Sequence, residues 1–375
     1  MTALTPAARI TCEVDKNLSA QALAALDTMG FELAQVHPRR AVALSERSAL
    51  PFLPPTLRVE EDPLEVFEVY LPRVQAHAAV QAWARALGLF TPGRGAVYAE
   101  NVELLNPPGI DFGATSVAAP EAEQQPGERL SNLVLINCVV QRGYGNGLAR
   151  CAIESGSNLP SINFGTGTGV RDRLGLLRIA IPAEKEIMSL LVDPHDAPAT
   201  LNVLIEAGRL DLPGRGFIGA YPVRVGVANP KSSRGLQRHS ASMEQVIAAI
   251  DELKAGTRWR HRAGADEAGP RRPRRWLTGL VNVTLNCNEG NADRLVATAM
   301  GNGAGGATIT KARLFAPSGG EFPASPAREI VDLGIGPEKL DQLVEALRGA
   351  GAFEAETACL VETKPLPTAF TYVAA

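Results

Sequence analysis

Long apolar runs are missing from this 375-residue chain. The longest are of strand length, far short of the ~20 residues that a membrane helix needs, so the chain is expected not to be transmembrane. Met1-Thr-Ala-Leu-Thr-Pro-Ala-Ala-Arg9 has neither the charged nor the apolar region of a secretion signal, and the expected location is cytoplasmic. Cysteine is sparse and odd in number: Cys12, Cys138, Cys151, Cys287 and Cys359, with no CxxC. That argues against a zinc site or a disulfide framework. The five histidines are scattered. No Ser-His-Asp order, metal triad or nucleophile motif stands out, so no catalytic residue, no metal and no enzyme activity are expected. A net charge of −3 gives no bulk argument for nucleic acid as a partner.

What is present is an ordinary soluble composition, 45% hydrophobic and 21% charged, on a length that suggests two or three domains. Arg9 to Val14 alternates as a strand does, and a helix with Leu23, Leu26 and Met29 on one face follows Ser19. Phe31 to Val36 reads as a strand. Residues 37 to 62, with four prolines, read as irregular. A strand over 64–71, a helix over 74–87 and a strand ending at Tyr98 complete a β-α-β-β-α-β order. The same order recurs over 131–226 and 277–375. Between the copies lie linkers at 106–130 and 227–276. The second linker holds a short amphipathic helix over 243–253 and an arginine run over 258–275.

The repeat is also written in short motifs. Pro92-Gly-Arg-Gly95 and Pro213-Gly-Arg-Gly216 each follow a helix and precede a strand. Ala183-Glu-Lys-Glu-Ile-Met188 loosely matches Ala327-Arg-Glu-Ile-Val331. Cys12, Cys138 and Cys287 fall on the first strands of the three copies, where burial as small residues is the plain expectation. The expected fold class is α+β: three ferredoxin-like βαββαβ repeats, divergent over 1–105 and 277–375 and best preserved over 131–226, forming an intrachain pseudo-trimer.

Residues 133 to 226 resemble the PII-like nitrogen regulatory (signal-transduction) proteins. The resemblance is carried by Val140-Gln-Arg-Gly143, Phe164-Gly-Thr-Gly-Thr-Gly169, Ile181-Pro-Ala-Glu-Lys-Glu-Ile187 and Pro213-Gly-Arg-Gly-Phe-Ile-Gly-Ala-Tyr-Pro-Val223. It implies a non-catalytic regulator that binds a small effector, an adenine nucleotide, in a cleft between repeats. It also implies control of a transporter or enzyme through a mobile loop, here from near Asn163 to near Leu174. The chain itself is expected to be monomeric.

The candidate binding residues are Gly165, Thr166, Gly167, Thr168 and Gly169, Lys185, and the turn Gly214, Arg215 and Gly216, with Arg94 at the matching place in the first copy. Glycines let backbone N–H groups approach an anion closely, and a guanidinium suits a phosphate. Each residue also has a plainer reading: a flexible connection, a turn entering a strand, or Lys185 paired with its flanking glutamates. Arg171 and Arg173 stand at the end of the loop, where a ligand could be gripped. The alternatives to the regulator are a structural or adaptor protein without ligand, and an enzyme acting between repeats.

Overall fold

A computed structural model of the chain describes residues 4–47, 56–113, 128, 130–168, 183–230, 274–317, 319 and 324–373. The first group holds β1 (Thr5–Asp15), α1 (Ser19–Thr28), β2 (Ala34–Arg47), β3 (Thr56–Leu71), α2 (Ala76–Leu87) and β4 (Gly95–Leu105). The second holds β5 (Ser131–Gln141), α3 (Gly145–Glu154), β6 (Ser161–Thr168), β7 (Glu184–Val192), α4 (Ala197–Gly208) and β8 (Gly216–Val227). The third holds β9 (Leu277–Asn288), α5 (Ala292–Gly301), β10 (Ala307–Phe315), β11 (Ala327–Ile335), α6 (Leu340–Gly349) and β12 (Leu360–Thr371).

Within a group the first strand pairs with the third and fourth, and the second strand lies outside the third. The outer strands do not end there. β10 pairs with β2, β2 with β6, and β6 with β10. β12 pairs with β4, β4 with β8, and β8 with β12. All twelve strands form one antiparallel sheet. It closes as a ten-strand antiparallel β-barrel, with few helices among the described residues. The expected ferredoxin-like α+β fold and the intrachain pseudo-trimer are therefore corrected to a closed β-barrel. Alternation along a strand reports its two faces and says nothing of what pairs with its edges. Closure removes those edges, and here it decides the architecture.

The helices cover the outside of the barrel over three apolar cores. On β1, Ala8, Ile10, Cys12 and Val14 face α1 and α2, where Ala76, Ala79, Val80, Trp83 and Leu87 form the buried stripe of α2. Cys138 and Cys287 lie in the two other such cores, so the three cysteines do not meet. The intervening β1 residues, Arg9, Thr11 and Glu13, are also buried and point into the barrel. Two small apolar layers share that interior, one with Tyr98, Leu135 and Tyr221, the other with Tyr70, Leu104 and Phe112.

Residues 37–47 and 56–62, expected to be irregular, belong to β2 and β3, which pair from Gln35↔Glu68 to Arg47↔Thr56. Part of the expected first linker is docked: Phe112 is buried, and Glu128 is 2.6 Å from Arg85. The helix over 243–253, the arginine run up to 273, Arg171, Arg173 and Gly169 lie outside the described residues. Arg274 is described and pairs with Glu206 at 2.8 Å. Among the described residues no helix is long and apolar enough to cross a membrane.

Candidate functional site

Gly165 to Thr168 are not loop. They belong to β6, with Gly165 opposite Lys185 and Thr166 opposite Glu184 on one side, and Thr166, Gly167 and Thr168 opposite Ile309, Thr308 and Ala307 on the other. The Gly167 N–H donates to Ala183 O at 2.7 Å, so it is engaged in the ladder rather than held open for an anion. The glycines make room instead. A Cβ on Gly167 would come within 2.7 Å of Lys185 Cε, and one on Gly165 within 2.9 Å of Ile309 O. The stem of Lys185 thus lies across β6 where a side chain is missing.

A row of residues runs across this end of the sheet. Gln141 stands opposite Lys185, and Lys185 opposite Gly165. Gln141 Nε2 donates to Gly214 O at 3.2 Å, which brings in the second Pro-Gly-Arg-Gly turn. That turn has a fixed backbone. Gly214 has φ +70° and Gly216 φ +154°, and a Cβ on Gly216 would sit 2.1 Å from Val139 O. The first turn repeats it, with Gly93 at +85°, Gly95 at +137° and a Cβ on Gly95 2.1 Å from Glu13 O. The arginines differ. Arg215 Nη1 donates to the Tyr144 hydroxyl at 3.0 Å. Arg94 Nε donates to Leu87 O at 2.9 Å and caps its own helix, away from the row. Gly165, Gly167, Lys185, Gly214 and Arg215 are therefore brought to one end of one group, and Arg94 is not.

The outer face of the same strand ends carries side chains that are not among the expected binding residues, although Phe164, Arg142 and Glu186 lie within the motifs. Phe164 is 52% exposed and Tyr144 46% exposed. The Arg40 and Arg142 guanidiniums lie 4.7 and 5.5 Å from the Phe164 ring centre. Arg142 also pairs with Glu184 at 3.1 Å. Beneath them is Glu186. Its Oε2 accepts from the N–H groups of Gly143 at 3.0 Å and Gly145 at 2.7 Å, and Arg40 Nη2 donates to its Oε1 at 2.9 Å. A buried carboxylate thus occupies the amides at the start of α3, where the helix dipole favours negative charge. The third group repeats the device: Glu329 Oε2 accepts from Gly290 at 3.0 Å and Ala292 at 2.9 Å. Gly143 and Gly290 share a φ of +91°. The sequence signals for this clamp were the loose match between residues 183–188 and 327–331, which contains both glutamates, and the motifs that hold Gly143 and Glu186.

A second concentration of charge fills the barrel interior. Glu100 receives Arg9 at 2.5 Å and Lys364 at 2.9 Å. Glu362 receives Arg9 at 3.0 Å and the Tyr70 hydroxyl at 2.8 Å. Burial alone would raise the Glu100 carboxyl, but Lys364 and Arg9 bring it down to about 2. Burial raises Glu362 above the usual carboxylate range, against the pull of Arg9 and Lys364. Burial lowers His37 to about 4, with Glu68 acting the other way. A slot of about 20 Å³ beside Glu13, Ser161 and Ser189 has room for a water molecule, not for a nucleotide. Among the described residues no three His, Cys, Asp or Glu side chains gather as a metal site. No family model and no curated protein matches the chain, so its expected PII-like and nucleotide-binding character finds no support among known relatives.

Proposed function

We propose that the protein is a non-catalytic regulator that binds a small anionic effector with a flat ring at the exposed ends of β5, β6 and β7, and passes its occupancy to a regulated transporter or enzyme. One observation carries the reading: the exposed rings of Tyr144 and Phe164 stand beside Arg215, Arg40 and Arg142. Guanidiniums take phosphate or carboxylate in two-point contacts, and exposed ring faces stack on a flat heterocycle. Lys185 supplies a further cation on the opposite face of the same strand ends. The regulatory class draws its support from the sequence resemblance over residues 133 to 226.

An adenine nucleotide is the effector to test first. Calorimetric titration with ATP, ADP, AMP and cyclic AMP is expected to give heat with at least one of them, and the heat is expected to vanish in the Arg142→Ala, Arg215→Ala double variant. No heat with any of the four, up to millimolar concentration, overturns the adenine-nucleotide reading.

The second reading is a structural or adaptor protein without ligand. It is favoured by Glu186, which already fills the amides that an anion would take at the start of α3. On that reading the double variant binds its partner as the parent does, with and without nucleotide.

A further inference from the structure

Three junctions join the second strands of the groups, and their registers repeat. Arg313 of β10 stands opposite Val36 of β2, Arg40 of β2 opposite Ile162 of β6, and Thr166 of β6 opposite Ile309 of β10. The third strands carry glutamates at matching places: Glu65 opposite Val14, Glu186 opposite Val140, and Glu329 opposite Cys287. At the β10–β2 junction Arg313 crosses to Glu65 at 2.8 Å. At the β2–β6 junction Arg40 crosses to Glu186 at 2.9 Å. At the β6–β10 junction the corresponding residue is Thr166, which carries no charge. Glu329 turns to the amides of Gly290 and Ala292, and Lys311, opposite it in its own group, is 2.5 Å from Glu289.

The two latches are not equal. The Arg40 and Glu186 side chains are 15% and 5% exposed, so their attraction is little screened; Arg313 is 61% exposed, and its pair with Glu65 is the weaker. Asn146 adds to the stronger latch by accepting from Arg40 at 3.2 Å. The β6–β10 junction has Gly165 and Gly167 in its strand and Gly305 and Gly306 just before β10. Such residues contribute no side chain to hold the strands together and lose the most entropy when ordered.

We propose that β6–β10 is the opening seam of the barrel, where two strands part reversibly while β2–β6 and β10–β2 stay closed. Gly165, Gly167 and Lys185 border both this seam and the effector site, so an effector held there changes how often the seam opens. That regulatory meaning rests on the proposed effector site; the opening of the seam does not.

Hydrogen exchange read by mass spectrometry, on the whole chain without effector, separates the two ideas. Overlapping peptides that isolate 165–168 and 305–311 are expected to exchange about ten-fold faster than those that isolate 40–42 and 161–162, with 34–36 and 313–317 between them. Thr166→Arg, which offers Glu329 a latch, is expected to slow the β6–β10 peptides several-fold. Equal exchange at the three junctions, or no slowing in a folded Thr166→Arg variant, overturns the proposal. Should that variant not fold, Arg40→Met serves: it is expected to raise exchange at β2–β6 towards the β6–β10 level, and an unchanged rate overturns the proposal. If the seam opens as described but no effector binds, only the regulatory meaning falls.

Discussion

Arg9 Nη2 lies 2.5 Å from Glu100 Oε2, with both side chains buried in the barrel interior. The carboxylate also holds Lys364 and the guanidinium also holds Glu362, so strands from the first and third groups are tied through one set of charges. Removing one member leaves the others charged and without water. Glu100→Ala is expected to cost on the order of 3–5 kcal/mol, read by urea unfolding. A cost under about 1 kcal/mol would mean that water enters and replaces the partner.

His37 gives the barrel a pH dependence. Its value in the folded protein, about 4, lies below the ordinary 6.5 because burial disfavours the charged ring. As pH falls through 6.5 the unfolded chain takes up the proton first. The His37 contribution is therefore complete above about 6.5 and is lost progressively as pH falls to about 4. The gap corresponds to ~3 kcal/mol. Glu100 and Glu68, both held below their usual range, add further loss at lower pH, while Glu362, held above it, acts in the opposite sense. His37→Gln is expected to flatten the stability profile between pH 7 and 4.5. A profile unchanged by the substitution would locate the acid sensitivity elsewhere.

The second glycine of each Pro-Gly-Arg-Gly turn, Gly95 and Gly216, should be far less replaceable than Gly143 of the β5–α3 turn. Gly216→Ala drives a methyl group to 2.1 Å from a main-chain oxygen and is expected to cost at least ~3 kcal/mol or to abolish folding. Gly143 has φ +91° with open space around it, so Gly143→Ala carries backbone strain alone, on the order of 1–2 kcal/mol. Thermal melts of the two variants make the comparison; equal melting temperatures would contradict it.

The two carboxylate clamps make an internal pair of controls. Glu329→Ala removes a cap from α5 and is expected to cost on the order of 1 kcal/mol. Glu186→Ala removes the same cap from α3 and also takes from the largely buried Arg40 its nearer carboxylate, leaving it Glu61 at 3.4 Å and Asn146, for a cost on the order of 2 kcal/mol. Denaturant midpoints of the two variants, measured side by side, check the order. A larger loss for Glu329 would show that Glu61 and Asn146 satisfy Arg40 without Glu186.

Much of the element order could be read from periodicity, because residues such as Leu343, Val344 and Leu347 keep a helical stripe and Ala8, Ile10 and Cys12 a strand face. Two kinds of residue hid the rest. Prolines masked strands: Pro38 lies inside β2, and Pro365 and Pro367 lie inside β12, which runs from Leu360 to Thr371. Charges hid part of the interior: Arg9 and Glu100 turn into the barrel, and a buried ion pair leaves no apolar pattern in the sequence. Edge pairing had no signature at all, and it decides the fold.

Part of the candidate site was legible. Four candidate residues of the second group, Gly165, Lys185, Gly214 and Arg215, do come to one end of a sheet. Their local roles were not legible: Gly167 gives its N–H to Ala183 and leaves room for the stem of Lys185, and Gly165 lies close to Ile309 O. Arg40 could not have been found from the second group alone, because it arrives from a strand more than a hundred residues earlier.

β12 lies against β9 of its own group and against β4 and β8 of the other two. A ribosome delivers the chain from its N-terminus, so β4 and β8 emerge long before the strand that joins both. Until residues 360–371 appear, Arg9 and Glu100 lack Glu362 and Lys364, and several strand edges stand open. The growing chain therefore passes through a stage in which its interior is charged and its edges are adhesive, and the last step of folding is a long-range closure rather than the addition of a finished unit.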